Sequence, residues 1–541
     1  MNVTEAVAQI LVEEGTDYLF GFPSNPLLDS GAAEEAGIRT IVVRQERTAA
    51  HMADAVSRIT SGNDIGVFCC QHGPGTENSF GGIAQAYAES VPMVAFPRGY
   101  ERAKVDVDPK FNSRLNYEHV TKTAEQLNDP DAVVEMVRRA FHATRNGRPR
   151  PALVEIPMEV WDMDVGEFDD LGYTPTSGSR VGPDPEQVDA ALDAVLAADE
   201  PVLFAGQGVN YAEAWEPLKE FAERLELPVA TSLNAKGAFP EDHELSLGAA
   251  SKSEPRQLAH FMDKTDCLFG VGCSFSTTAY GLTVPEDNTI VHSTLDTGDI
   301  DKETDADVAL PGDAKLVLKT LVEAAEERLD GPRGRRGDVA AEIADVREAW
   351  LDDWNDKLTS DEAPISPYRV VAELDDLLPK ANSVVTGDAG NPRDFLSAFY
   401  TATEPMSYIG WGKTTHLGYS LGLMLGAKIA EPEKICVNLW GDGAVGMTGT
   451  DIETATREDL PVLSVYLKNH EMASYDTPFG GDFVAVTEAL GGKGIHVEDP
   501  NELRGALQEG IEAVENGTYT LIQVITEQET ELSRPDLHYE A

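Results

Sequence analysis

Ile435-Cys-Val-Asn-Leu-Trp440 running into Gly441-Asp442-Gly443, and Pro461-Val-Leu-Ser-Val-Tyr-Leu467 closing on Lys468-Asn469, together decide how the fold is read. Each is a short apolar run with a turn signal at its end, which reads as a buried strand. Between them Thr450-Asp-Ile-Glu453 has capping-box spacing and predicts a helix starting there. A right-handed strand–helix–strand unit brings both strand ends to one edge of a parallel sheet. Asp442 and Asn469 can then offer oxygen to one hard cation. Mg²⁺ takes octahedral oxygen with few protein ligands, leaving places for water and phosphate oxygens. The flanking glycines let backbone N–H groups approach an anion. Gly-Asp-Gly alone would be a tight turn; the 25 residues between Gly443 and Asn469 in this frame make it a diphosphate–metal signal.

The same alternation runs outward along the chain. Helical patterns over 3–14 and 48–59 and apolar runs over 41–44, 65–70, 92–96 and 152–156 form a first block, 1–163. Residues 164–183, rich in Asp, Gly, Pro, Ser and Thr, read as a surface linker. A second block, 184–325, has strands over 201–205, 267–271 and 289–292. The basic, glycine-rich stretch 331–337 then precedes a charged helix, and a third block, 365–526, is followed by a polar tail. The expected fold class is α/β, with three doubly wound parallel-sheet domains. Ligands in such sheets bind beyond the carboxyl ends of the strands, at the switch point.

Composition bounds the function. With 541 residues and 42% hydrophobic content, the chain can bury several cores. No run of 18 apolar residues exists and the N-terminus has no signal-peptide pattern, so a cytoplasmic protein without membrane association is expected. There are 94 acidic and 42 basic residues, a net charge of −52, which repels nucleic acid and anionic membranes. Spread along the whole chain, these acids read as the solvated surface of a halophilic protein. Five cysteines without a CxxC pair read as buried reduced thiols.

The Gly441-Asp442-Gly443…Asn469 pattern resembles the thiamine diphosphate-binding motif of the superfamily of acetolactate synthase, benzoylformate decarboxylase and pyruvate oxidase. The resemblance implies that Asp442, Asn469 and the backbone carbonyl of Glu471 ligate Mg²⁺, with Ala444 beside the diphosphate. The usual Asn-Asn pair is Lys468-Asn469 here, but the second position is the ligand. Val42-Val-Arg-Gln-Glu46-Arg-Thr-Ala-Ala-His51-Met-Ala is similar to the family segment whose glutamate bonds N1′ of the cofactor's aminopyrimidine and so activates C2 of its thiazolium. Alone, Glu46 would read as a surface acid paired with Arg44 or Arg47. Gln71-His72-Gly73-Pro-Gly75-Thr-Glu-Asn78 resembles the loop lying over the cofactor. His72 there is a proton shuttle or a structural loop histidine. Ser24 and Asn25, after the first strand, reach the substrate side or form a simple turn. Gly410-Trp-Gly-Lys-Thr-Thr-His-Leu417-Gly is similar to the segment that wedges an apolar residue under the cofactor, which places Leu417 there. Thr386-Gly-Asp-Ala-Gly390-Asn391-Pro-Arg393 matches a diphosphate-holding segment, with Asn391 and Arg393 as candidates and a helix-capping turn as the other reading.

Ala235-Lys236-Gly-Ala-Phe-Pro-Glu-Asp-His243 resembles the acetolactate synthase middle domain, which holds a structural FAD and in which the counterpart of Lys236 lines the substrate channel. Gly270-Val-Gly272-Cys-Ser-Phe-Ser departs from the flavin-contacting pattern, and Gly206-Gln-Gly208 lacks a third fingerprint glycine, which counts against FAD. The resemblance, in the order of pyrimidine-binding, middle and diphosphate-binding domains, implies an acetolactate synthase-like enzyme of 2-oxo acids, at least a homodimer and up to a homotetramer. The alternatives are a non-oxidative 2-oxo acid decarboxylase or a 2-hydroxyacyl thioester lyase. A nicotinamide dehydrogenase and a non-catalytic cofactor-binding scaffold are the rivals from other classes.

Overall fold

The computed structural model describes residues 1–278, 280–285, 287–414, 416–471 and 478–533. The part of the polar tail from 534 onward lies outside them. Seventeen strands form three parallel sheets among the described residues, in chain order. The first contains β1 (Tyr18–Gly21), β2 (Arg39–Val42), β3 (Gly66–Cys70), β4 (Met93–Gly99), β5 (Thr123–Gln126) and β6 (Ala152–Pro157), ordered β2-β1-β3-β4-β6-β5. The second contains β7 (Pro201–Ala205), β8 (Val229–Ser232), β9 (Ser246–Ala250), β10 (Cys267–Val271), β11 (Thr289–Ser293) and β12 (Val308–Ala309), ordered β12-β11-β10-β7-β8-β9. The third contains β13 (Ser383–Gly387), β14 (Ile435–Gly441), β15 (Leu463–Lys468), β16 (Lys493–Val497) and β17 (Thr520–Ile525), ordered β13-β14-β15-β17-β16.

A parallel bridge from Val385 to Tyr408 continues the third sheet beyond β13. Counting it as a strand, the first and third sheets share one winding order. Their chains reverse direction at equivalent places, between β1 and β3 and between β13 and β14, and the middle sheet reverses between β7 and β10. The loops at those points carry the segments singled out above. Strand interiors such as β3, β6, β10 and β13 are buried throughout, as expected where helices cover both faces.

The first and third domains share one core through helices Glu46–Ile59 and Ser420–Ala430, with Ala49, Met52 and Ala53 facing Leu421, Met424 and Leu425. Two glycines allow the crossing. A Cβ at Gly422 would lie 2.9 Å from His51 Cβ, and one at Gly426 would lie 2.8 Å from Ala55 Cβ. The middle domain keeps a core of its own. All five cysteines are free and buried, as read from the sequence. No helix among the described residues is long and apolar enough to cross a membrane.

Three local expectations are corrected. A helix does start near the expected place, at Ile452 (Ile452–Arg457), but Thr450 does not cap it: a separate helix already begins at Asp442, and Thr450 lies in the 3₁₀ turn Gly449–Asp451 between the two. The Asp451 carboxylate instead accepts the Arg44 N–H at 2.8 Å and the Thr48 hydroxyl at 2.7 Å, tertiary partners that outweigh local capping. The strand before Glu46 ends at Val42, leaving Glu46 as the first residue of its helix. The segment expected as a loop at 73–78 is mostly the first turn of helix Pro74–Ala88, with proline at the position where a missing N–H costs nothing.

Candidate active site

β14 and β15 pair in register, with Gly441 opposite Leu467, so Asp442 and Asn469 emerge side by side at the carboxyl edge. Asp442 is 5% exposed. Its Oδ1 accepts the Tyr466 hydroxyl at 2.6 Å and its Oδ2 accepts the Asn469 N–H at 3.2 Å. Asn469 Oδ1 accepts the Glu471 N–H at 3.0 Å, which folds the chain so that Glu471 stands beside the pair. Burial pushes the Asp442 carboxyl above the ordinary carboxylate range, while Tyr466 and the Asn469 N–H oppose that rise. A carboxylate so buried calls for a cation. One carboxylate, one amide oxygen and one backbone carbonyl make a hard, oxygen-only set suited to Mg²⁺. Among the described residues no group of three or more His, Cys, Asp or Glu could hold a metal.

Space for an anion adjoins this set. A Cβ on Gly441 would meet only the Pro392 ring, at 3.7 Å, and one on Gly390 (φ +88°) would meet nothing within 4 Å. Gly443 follows in the first turn of the helix and Ala444 is buried behind it. Asn391 starts helix Asn391–Phe399 and donates to the Glu529 carbonyl at 3.1 Å. Arg393 is held elsewhere: it pairs with Asp394 and lies 4.1 Å and 4.4 Å from the ring centres of Tyr280 and Trp411. Leu417 is half-buried against the shared core. The turn after it is fixed by Asp388, fully buried, which accepts N–H groups from Gly418 at 2.8 Å and Ser420 at 3.0 Å.

In the first domain Glu46 is 5% exposed and accepts the Asn78 amide at 3.1 Å. It is no surface acid: Arg44 pairs with Glu453, and Glu46 forms no ion pair among the described residues. A Cβ on Gly75 would sit 3.5 Å from Glu46 Oε1, so glycine keeps that flank of the carboxylate open. His72 packs edge-on to Tyr100, with ring centres 4.6 Å apart, and its buried Nδ1 has no hydrogen-bond partner among the described residues. Burial and Arg98 lower its pKa, so the ring is neutral at physiological pH. Gly73 (φ +62°) turns the chain next to it. Ser24 is strained at φ +77°, with its N–H on Asp29 at 3.1 Å. Asn25 is a structural residue: it is fully buried and donates to the Cys70 and Phe96 carbonyls, both at 2.9 Å. Among the described residues no hydrogen bond joins Glu46 itself to Asp442 or Asn469, although the neighbouring Gln45 amide donates to the Met447 carbonyl in the Asp442 helix at 2.9 Å.

Lys236 is buried, with both Glu241 carboxylate oxygens at 2.6 Å. The middle domain has a cavity of about 500 Å³ at its switch point, between the ends of β7 and β10. Two of its glycines pack backbone on backbone: a Cβ on Gly208 would meet Gly272 Cα at 2.8 Å and a Cβ on Gly272 would meet the Val209 nitrogen at 2.8 Å. Gly208 and Gly272 serve loop-to-loop packing.

Tyr466, Asp388 and Glu89 were not found from the sequence. Glu89, fully buried at the end of helix Pro74–Ala88, accepts N–H groups of Gly412 at 3.1 Å, Lys413 at 2.7 Å and Thr414 at 3.0 Å, and also binds the Asn234 amide. One carboxylate thereby joins all three domains. Tyr466 sits within a strand read only for its apolarity. The partners of Asp388 and Glu89 are distant backbone groups, which leave no mark in local sequence.

Three family models match the chain: the thiamine pyrophosphate enzyme N-terminal TPP binding domain over residues 1–127, the central domain over 188–321 and the C-terminal TPP binding domain over 388–524. The acetolactate synthase isozyme 3 large subunit of Escherichia coli (strain K12) is 30% identical over 97% of this chain and 94% of its own length. The acetolactate synthase large subunit of Haemophilus influenzae is 30% identical over 94% and 92%. That of Parasynechococcus marenigrum is 30% identical over 96% and 86%.

Proposed function

The chain belongs to the thiamine pyrophosphate enzyme family, and from that premise we propose that it is a thiamine diphosphate- and Mg²⁺-dependent enzyme of 2-oxo acids, acetolactate synthase-like, that decarboxylates one molecule and joins the remainder to a second. The observation that carries this reading is the meeting of Asp442 and Asn469 at an open, glycine-lined edge. When bound, thiamine diphosphate supplies the nucleophilic carbon and the electron sink for breaking a bond beside a carbonyl. Asp442, Asn469 and the Glu471 carbonyl would hold the metal. Leu417 would support the cofactor, on a turn held by Asp388. Glu46, steadied by Asn78, keeps a proton at N1′ of the aminopyrimidine. His72, neutral and with a free ring nitrogen, takes or gives a proton at the substrate.

Glu46 and Asp442 form separate clusters within one chain, which supports a homodimer in which Glu46 of one protomer serves the Asp442 site of the other. One observation favours a second reading, simple 2-oxo acid decarboxylation or thioester cleavage: Lys236 is locked on Glu241. No step is assigned to flavin.

The test supplies thiamine diphosphate, Mg²⁺, high salt and pyruvate and follows the products. Acetolactate supports carboligation and acetaldehyde supports the second reading; neither product rejects pyruvate as donor. Glu46→Gln with full activity would overturn the mechanism.

A further inference from the structure

The middle-domain cavity holds an amine that the reading above does not use. Lys413 enters its wall from the segment after Trp411. The backbone there is fixed, since Glu89 grips the N–H groups of residues 412–414. Lys413 Nζ donates to Ser274 Oγ at 2.9 Å. Ser274 Oγ lies 3.0 Å from Ser276 Oγ, which accepts from Lys302 at 2.7 Å. Among the described residues no carboxylate stands within ion-pair distance of Lys413, whereas Lys236, Lys302, Lys357 and Lys380 each have one. The titratable groups facing it are Arg148, Glu89, Asp299, Lys302, Glu303 and the Cys273 thiol; Asp299 is already shared by Arg148 and Lys302, and Glu303 accepts the Thr277 N–H. An ammonium left partly buried without a counter-ion is costly, which favours the free base. Burial first, then Arg148, lowers its pKa to about 8, against the opposing pull of Glu89 and Asp299. A neutral lysine amine is a nucleophile toward carbonyl carbon.

We propose that Lys413 is a carbonyl-reactive residue and that this cavity takes a carbonyl compound bearing an anionic group, held as an imine on Nζ. The Nζ lone pair attacks the carbonyl carbon and the C–O π pair moves to oxygen. One amine proton passes to that oxygen, with the hydroxyls of Ser274 and Ser276 placed to relay it. The second amine proton leaves with the hydroxyl as water while the C=N bond closes. Amine and carbonyl thus give imine and water, with no redox change. Uptake of one proton from water gives the protonated imine, which restores a positive charge to the wall, and the ligand's anionic group supplies the missing counter-charge beside Lys302 and Arg148. Asp442, Asn469 and Glu46 do not line this cavity, so the proposal stands or falls apart from the thiamine reading.

The probe is pyridoxal 5′-phosphate, added to the full chain in high salt, reduced with borohydride and mapped by peptide mass spectrometry. An amine of pKa about 8 is half neutral at pH 8, whereas an ordinary lysine near 10.4 is neutral in well under about one part in a hundred. Lys413 is therefore expected to label at least about tenfold faster than the exposed Lys252, to a stoichiometry near one per chain, with half-maximal rate near pH 8. Lys413→Arg, which keeps the charge, should lose the fast label. If that variant does not fold, the wild-type map and its pH profile still decide. Label shared evenly among surface lysines, or a Lys413 rate still climbing above pH 10, would overturn the proposal.

Discussion

Replacing Tyr466 with phenylalanine removes a single oxygen from the protein, the one 2.6 Å from Asp442 Oδ1. Tyr466 is 1% exposed, so water does not readily take its place. A hydrogen bond to a charged acceptor contributes about 1.5–3 kcal/mol. At about 1.4 kcal/mol per decade, that corresponds to roughly ten- to a hundredfold in a binding constant. Loss of partners behind metal ligands spans the same range. Two effects act together: the carboxylate loses its orientation, and its pKa, already raised by burial, rises further so that protons compete with Mg²⁺. The Mg²⁺ dissociation constant of Tyr466→Phe, titrated by calorimetry with thiamine diphosphate present, should rise about tenfold or more at pH 6. The gap to the parent should narrow by pH 8, and turnover at saturating metal should change little. Equal Mg²⁺ affinities for the two proteins across that pH range would refute the reasoning. So would a turnover defect that no concentration of metal repairs.

Arg58→Met strands Asp54, buried and 2.9 Å from the guanidinium, and should lower unfolding free energy in urea by about 3–5 kcal/mol. Asp388→Asn turns an amide N–H toward the Ser420 or Gly418 N–H; about 1–3 kcal/mol of stability should go, and thiamine diphosphate should bind measurably more weakly because the Leu417 turn loosens. His416, its Nδ1 3.0 Å from His51 Nε2, has its pKa lowered to about 4 by burial and by Arg47. A depressed imidazole lets the unfolded chain take protons that the folded one refuses, so stability is complete above about 6.5 and is lost as pH falls toward 4. Urea titrations of His416→Gln should show about 2 kcal/mol less loss between pH 7.5 and pH 5 than the parent.

The parallel frame was legible because its strands are near-continuous apolar runs: 201–205 and 267–271 were read to the residue, and the edge joining Asp442 to Asn469 followed from handedness alone. Other strands were passed over because they carry little apolar contrast, as in Thr123–Gln126 and Lys493–Val497, where half-buried edge positions mix with charge. The helix start at Asp442 was invisible for a different reason. Asp-Gly-Ala-Val-Gly-Met-Thr has poor intrinsic helix propensity, and packing rather than sequence makes it helical. Glu46 and Asn78 were recognised separately, but their hydrogen bond depends on how two helices of one domain meet. Lys236 shows a different gap: the resemblance said nothing of Glu241, the buried partner on which its amine rests.

The Glu89 carboxylate also sets an order of assembly. Its grip on residues 412–414 and on Asn234 closes contacts more than three hundred residues apart in one case and about a hundred and fifty in the other. The strap leading to Leu417 takes its final shape only when the first and middle domains are already seated. The floor on which a cofactor would rest is thus tied to contacts from all three domains rather than to its own segment alone.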